Sequence, residues 1–242
     1  MDRFFGIASD IDGTVTHDDR RLSAGALSAA HCLSGRFPLV LVTGNTLCFS
    51  RTISKLLGTR SPIIAENGGI ILPDYDAAPI IKRPKMDEIH AALSLISENL
   101  PIRLHDYSER VTDVSFSKTV SADEILPYLS DFPNLSLVDT EYAFHITDNN
   151  ICKGAALTDL AGMMGTSAKK FVAIGDSEND IDMFRASGLS FAVSNASPLV
   201  KKEADIVLKN SFGEGFAEAI NYLLKNDLLE LSDEKKDFYV KL

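Results

Sequence analysis

The chain has 242 residues, 45% hydrophobic and 24% charged, with no Trp and a formal net charge of -10. That length buries a substantial core as one large or two modest domains, and the composition is that of an ordinary globular protein. The negative balance, without a basic stripe interleaved with aromatics, argues against nucleic-acid and anionic-membrane partners, and no apolar run approaches bilayer length.

The chain passes from Met1-Asp2-Arg3 straight into an apolar run, Phe4 to Ala8, which reads as a buried strand and leaves no room for a signal peptide. A helix is expected over 22–33, with Ser23 as its N-cap. Residues 38–42 form a continuous β-branched run, as in a strand covered on both faces. A helix over 46–57 closes at Gly58, a strand follows at 62–65, and the turn Glu66-Asn67-Gly68-Gly69 leads into a strand at 70–72.

The rhythm changes after Pro79. A helix over 85–99 carries Met86, Ile89, Leu93 and Ile96 on one face, and strands are expected at 102–106 and 111–117. In the second strand Val114 and Phe116 alternate with Asp113, Ser115 and Ser117. A short helix at 122–129 and strands at 135–138 and 143–147 complete the order helix-strand-strand-helix-strand-strand. That order predicts an antiparallel sheet with helices on one face, an α+β unit inserted over 80–151. Alternation then resumes with helices at 153–164, 181–186, 198–202 and 216–224 and strands at 171–174, 190–193 and 205–208. Residues 1–79 and 152–242 together suit an α/β fold with one doubly wound, mainly parallel sheet, its site beyond the carboxyl ends of the strands. The tail over 230–242 is charged and mixed and reads as a solvated extension.

Chemistry concentrates where strands end. Asp10 and Asp12 follow the first strand, and side chains two apart in extended backbone share a side, so both address one ligand. An isolated Asp-x-Asp-Gly is otherwise an ordinary acidic turn. Thr43-Gly44-Asn45 offers a hydroxyl and free amides at a helix entry, which suits a phosphate or simply starts the helix. Lys153 opens a helix, where it reads either as a charge partner for a phosphate or as a solvated lysine. Gly175-Asp176-Ser177-Glu178-Asn179-Asp180 follows the strand at 171–174, and its three acids exceed what one helix cap needs. Two carboxylates about 4 Å apart repel by roughly 4 kcal/mol at an effective dielectric near 20. Gathering Asp10, Asp12, Asp176 and Asp180 at one sheet edge therefore calls for a cation or a retained proton. Magnesium, which takes a few carboxylates plus waters and substrate oxygens, matches that supply.

The five histidines show no ligand spacing, and dinucleotide, Walker and serine-elbow motifs are missing. Cys32, Cys48 and Cys152 are an odd set without a Cys-x-x-Cys pair, which points to a reducing, cytoplasmic setting. Cys48 and Cys152 are expected as small core residues.

Asp10 to Thr14, Thr43-Gly44, Lys153 and Gly175 to Asp180, in this order, closely resemble the motifs of the haloacid dehalogenase superfamily of phosphatases. The likeness runs to about Lys225. The inserted unit resembles the α/β cap of the Cof-type subgroup, and its small size, together with Thr43-Gly44-Asn45 and Glu66-Asn67-Gly68-Gly69, is most similar to archaeal-type phosphoglycolate phosphatases. The resemblance implies that Asp10 attacks phosphorus and that Asp12 acts as acid and then base. It implies that Asp10, the Asp12 main-chain oxygen, Asp176 and Asp180 hold Mg2+. Thr43, Gly44, Asn45, Lys153 and Asn179 would bind the phosphoryl group, with Asn179 orienting Asp176 or the substrate. Segments 107–112 and 142–145 of the cap would then select a small phosphorylated metabolite, best matched by 2-phosphoglycolate. Sugar-phosphate phosphatases or phosphomutases on the same scaffold, and a non-catalytic phosphoacceptor module, remain alternatives. Monomer and homodimer both stay open.

Overall fold

The computed structural model describes residues 3–140 and 142–230. Strand β1 (Gly6–Ser9) is followed by α1 (Ala24–Leu33), β2 (Leu39–Val42), α2 (Leu47–Leu56), β3 (Ile63–Ala65), β4 (Ile70–Leu72) and β5 (Ile80–Ile81). Then come α3 (Met86–Asn99), β6 (Leu104–His105), β7 (Asp113–Ser117), α4 (Ala122–Leu129), β8 (Leu135–Asp139) and β9 (Ala143–Asp148). The chain ends its described part with α5 (Lys153–Met163), β10 (Phe171–Gly175), α6 (Ile181–Ala186), β11 (Leu189–Ala192), α7 (Pro198–Glu203), β12 (Ile206–Val207) and α8 (Phe212–Lys225).

The large sheet has eight strands in the order β12-β11-β10-β1-β2-β3-β4-β5. Strands β12 through β3 run parallel, and β4 and β5 add on antiparallel. Successive side chains of a strand point to opposite faces, and each face here is apolar. Ile7, Leu39 and Leu41 pack with Ala26, Leu33, Phe216 and Leu223 on one side, while Ala8, Val40 and Val42 meet Leu157, Leu160, Met183 and Val200 on the other. Helices therefore cover both faces, and the expected doubly wound α/β layer is what forms.

The second sheet is antiparallel throughout, in the order β6-β7-β9-β8. Val114, Phe116, Phe144 and Ile146 pack beneath α3 and α4 against Ile89, Leu93, Ile96 and Ile125. Phe116 and Phe144 are fully enclosed, a burial that stabilises by roughly 1.5–3 kcal/mol each. Ile125 docks α4, whose N-terminus is fixed by the reciprocal bonds of Ser121 and Glu124.

Three details differ from the sequence reading. Ile80 and Ile81 pair with Ile71 and Ile70, so this short run belongs to the large sheet. The last helix begins at Phe212, earlier than its apolar period suggests, because Gly213 and Gly215 mask that period. Cys48 is exposed, since α2 turns Ser50, Ile53 and Ser54 inward, and Cys152 is half-buried at the start of α5, its Sγ accepting from the Ala155 amide. Before the tail, Leu228 and Leu229 are buried, and Glu230 donates its amide to the Phe4 carbonyl; the solvated extension read over 230–242 otherwise lies outside the described residues. Among the described residues no helix is long and apolar enough to cross a membrane.

Candidate active site

Parallel pairing of β1 with β10 sets Ser9 beside Ile174, so the residues that leave the two strands, Asp10 and Asp176, emerge together. The Asp10 amide donates to the Ile174 carbonyl, which extends the ladder to the first aspartate. Carboxylate oxygens of Asp10, Asp176 and Asp180 all lie within 4.8 Å of one another, and all three residues are buried.

Lys153 enters from the first position of α5 and is almost wholly buried; its Nζ donates to Asp10 Oδ1 and Asp180 Oδ1, both at 2.7 Å. The other oxygen of Asp180 accepts from the amides of Asp176 and Ser177 at 3.0 and 3.1 Å. Two glycines in the motifs make these approaches fit. A Cβ on Gly175 would sit 2.4 Å from Asp180 Oδ2, and one on Gly154 would sit 2.2 Å from the Asp182 carbonyl oxygen. Thr14 donates to Asp176 Oδ1 at 2.7 Å and fixes that carboxylate.

Charge at this spot is unevenly shared. Burial pushes the Asp10 carboxyl well above the usual carboxylate range; Lys153 opposes this, and Asp180, Asp176 and Asp12 add to it. Burial alone would lower the Lys153 ammonium, yet the attraction of Asp10 and Asp180 outweighs it and holds it above its usual range. One lysine does not balance three acids, and the donors are all hard oxygens, so Asp10, Asp176 and Asp180 suit a hard divalent cation.

The Asp12 carboxylate lies apart from this trio. Its Oδ1 accepts from Arg20 Nε at 3.0 Å, and its Oδ2 pairs with Asn45 Nδ2. Thr43 is buried and accepts the Asn45 amide at 3.1 Å, which folds the Thr43-Gly44-Asn45 turn onto the start of α2. Asn179 donates to Asn67 Oδ1 at 3.0 Å, and its own Oδ1 is buried without a partner among the described residues.

A cleft of about 460 Å3 separates the two sheets. Asp10, Asp12, Thr43, Gly44 and Asn45 line one wall, and Arg110, Ser115, Tyr142 and His145 line the facing one. Both cap segments singled out in the sequence thus reach the cleft. Arg20, Glu66 and Asn67 were missed. Arg20 sits in a charged run, Asp18 to Arg21, outside any of the motifs, but it bonds Asp12 and its guanidinium lies 5.1 Å from the ring centre of Tyr142. Glu66 accepts from the Val111 and Thr112 amides and the Thr112 hydroxyl, and Asn67 donates to Asp113 at 3.2 Å. Their signal was two polar residues directly at a strand end, in a turn where both take positive φ.

The sequence matches the family of haloacid dehalogenase-like hydrolases over residues 7–124 and 103–220. A phosphoglycolate phosphatase of Methanosarcina mazei is 41% identical over 225 residues, covering 93% of this chain and 98% of that protein. Another from Archaeoglobus fulgidus is 37% identical, covering 90% and 96%. Among solved structures, Thermoplasma acidophilum 0175 superposes with a TM-score of 0.81 at 22% identity, covering 92% of this chain and 99% of its own. With the motif order, the two-sheet architecture and these matches in agreement, the chain belongs to the haloacid dehalogenase-like hydrolases.

Proposed function

We propose that this protein is a phosphoglycolate phosphatase, a phosphomonoesterase that cleaves 2-phosphoglycolate to glycolate and phosphate with Asp10 as nucleophile. The observation that carries this reading is the convergence of Asp10, Asp176, Asp180 and Lys153 at the carboxyl ends of β1 and β10. Relatives at 37–41% identity over most of the chain bear that activity in their names.

In this reading an Asp10 oxygen attacks phosphorus while the bond to the glycolate oxygen breaks, giving an aspartyl-phosphate and splitting one difficult displacement into two. Asp12, which lines the cleft wall between Arg20 and Asn45, takes up a proton in place of its bond to Arg20 and gives it to the leaving alkoxide. It then takes a proton from the water that attacks the phosphoenzyme, and Asp10 is released as carboxylate. Thr43 and the amides after it cradle the phosphoryl oxygens, and Lys153 holds Asp10 in line and neutralises part of the developing charge. Mg2+, bound by Asp10, Asp176, Asp180 and the Asp12 main-chain oxygen, would neutralise phosphoryl charge during transfer.

In this reading residues 82–151 are the cap that selects substrate and excludes water, and 3–81 with 152–230 are the catalytic core. The split follows β5, which hydrogen-bonds into the large sheet. A cytoplasmic setting belongs to it as well, since the three cysteines carry free thiols. The test is a substrate panel of 2-phosphoglycolate, hexose phosphates and nucleotides, with and without Mg2+, on wild type and Asp10→Asn. Wild type should turn over 2-phosphoglycolate fastest and only with the metal, and Asp10→Asn should lose at least about a thousandfold in kcat. Retained hydrolysis in Asp10→Asn would reject the nucleophile, and preference for a hexose phosphate would reject the substrate.

A further inference from the structure

The wall of the cleft opposite Asp10 carries a buried cation that the chemistry at phosphorus does not use. Arg110 is enclosed, its side chain only 3% exposed, and it lines the cleft. Its Nη1 donates to Asp113 Oδ1 at 2.7 Å and to the Gly44 carbonyl at 3.1 Å. Its Nε is buried and has no partner among the described residues. A buried, unpaired guanidinium N–H costs about 1–3 kcal/mol, so the side of Arg110 that carries it is set for an acceptor that a ligand supplies.

The surroundings hold that side chain in place. Asp113 is fully enclosed and takes Arg110 on one oxygen and, on the other, His145 Nδ1 at 2.9 Å and Asn67 Nδ2 at 3.2 Å. Arg110 and His145 are thus anchored to one carboxylate while both face the cleft. The other cleft arginines differ: Arg20 is committed to Asp12 and Asn45, and Arg103 is exposed. A desolvated guanidinium with a planar fork matches a carboxylate far better than a solvated one.

The position of Arg110 also sets a length. Its Nη1 lies 3.1 Å from the carbonyl of Gly44, the residue after Thr43, so a ligand that meets this guanidinium while its phosphoryl group is cradled by Thr43 needs only a short spacer between the two. A hexose phosphate has no second anion to offer there, whereas a two-carbon phosphorylated acid places one a short spacer away.

We propose that Arg110, oriented by Asp113, is the specificity residue that reads the carboxylate of a short phosphorylated hydroxy acid. This rests on the phosphoglycolate reading above and deepens it. The test compares 2-phosphoglycolate with 2-hydroxyethyl phosphate, which has the same backbone but no carboxylate, on wild type, Arg110→Lys and the double variant Arg110→Gln with Asp113→Asn. The double variant removes both buried charges together, so neither is left stranded. The measure is the ratio of kcat/KM for the two esters, which partial unfolding lowers equally in numerator and denominator. In both variants that ratio should fall roughly 100-fold from wild type, mostly through KM for 2-phosphoglycolate. An unchanged ratio, with both esters losing alike, would put Arg110 on the phosphoryl group or in the scaffold and overturn the proposal. Wild type that hydrolyses neither ester would instead sink the substrate reading, and the two failures are told apart by the wild-type arm alone.

Discussion

At the scale of single residues, Lys153 decides whether the acidic site is tolerable. It is the partner of both Asp10 and Asp180, at 2.7 Å each, inside the core. Removing one member of a buried ion network typically costs about 3–5 kcal/mol, because the remaining charges are left uncompensated. Lys153→Met should therefore unfold at markedly lower denaturant in EDTA, and added Mg2+ should return a large part of the loss by replacing the missing positive charge. A variant as stable as wild type without metal would show that the carboxylates are not held as charges. Asp180 has a separate duty, since its second oxygen is saturated by two backbone amides. It ties the loop after β10 down whether or not a cation is present.

At the scale of elements, close approach of α5 to α6 is what delivers Lys153 to its partners. Gly154 lies against the Asp182 carbonyl oxygen, with room for nothing larger. Gly154→Ala should push the two helices apart and cost about 1–3 kcal/mol in equilibrium unfolding, with a fall in kcat as Lys153 is displaced. A neutral outcome would mean that the helix pair relaxes freely. Much of this level was legible in advance. Strand ends before Asp10, Thr43 and Asp176 follow from apolar runs broken by polar turns, and Ser23 caps α1 as its residue type suggests, accepting the Ala26 amide. What stayed hidden was pairing between distant polar groups. Glu66 meets Thr112 and Asn67 meets Asp113 some 46 residues away, and no local period encodes such contacts. Asp113 and Ser115, the polar partners in the alternation of β7, are buried as well, and Ser115 lines the cleft. The two-residue strand β5 was too short for any pattern to announce it.

At the scale of the whole molecule, the two halves meet through polar contacts. Arg110 reaches the Gly44 carbonyl, Thr112 reaches Glu66, and Asn67 reaches Asp113. Burial by itself would raise the Asp113 carboxyl, but the hydrogen bond and charge of His145, joined by Arg110, hold it below its ordinary value. A carboxyl depressed on folding stabilises fully above the unfolded value, about 3.9, and that stabilisation is lost as pH falls through the lower folded value. Wild type should then lose stability steeply below about pH 4, and Asp113→Asn should show a shallower slope across the same acid window in urea titrations. Equal slopes would mean that Asp113 is not ionised in the folded protein.

The outermost strands of the large sheet, Ile80–Ile81 and Ile206–Val207, contribute two residues apiece, and Lys82, Arg83 and Pro84 come immediately after the first. Rims that brief, one flanked by cations and a proline, give a neighbouring molecule almost no backbone to zip onto. The large sheet thereby gives an incoming strand little edge to extend, whereas the small sheet keeps a five-residue edge in β8.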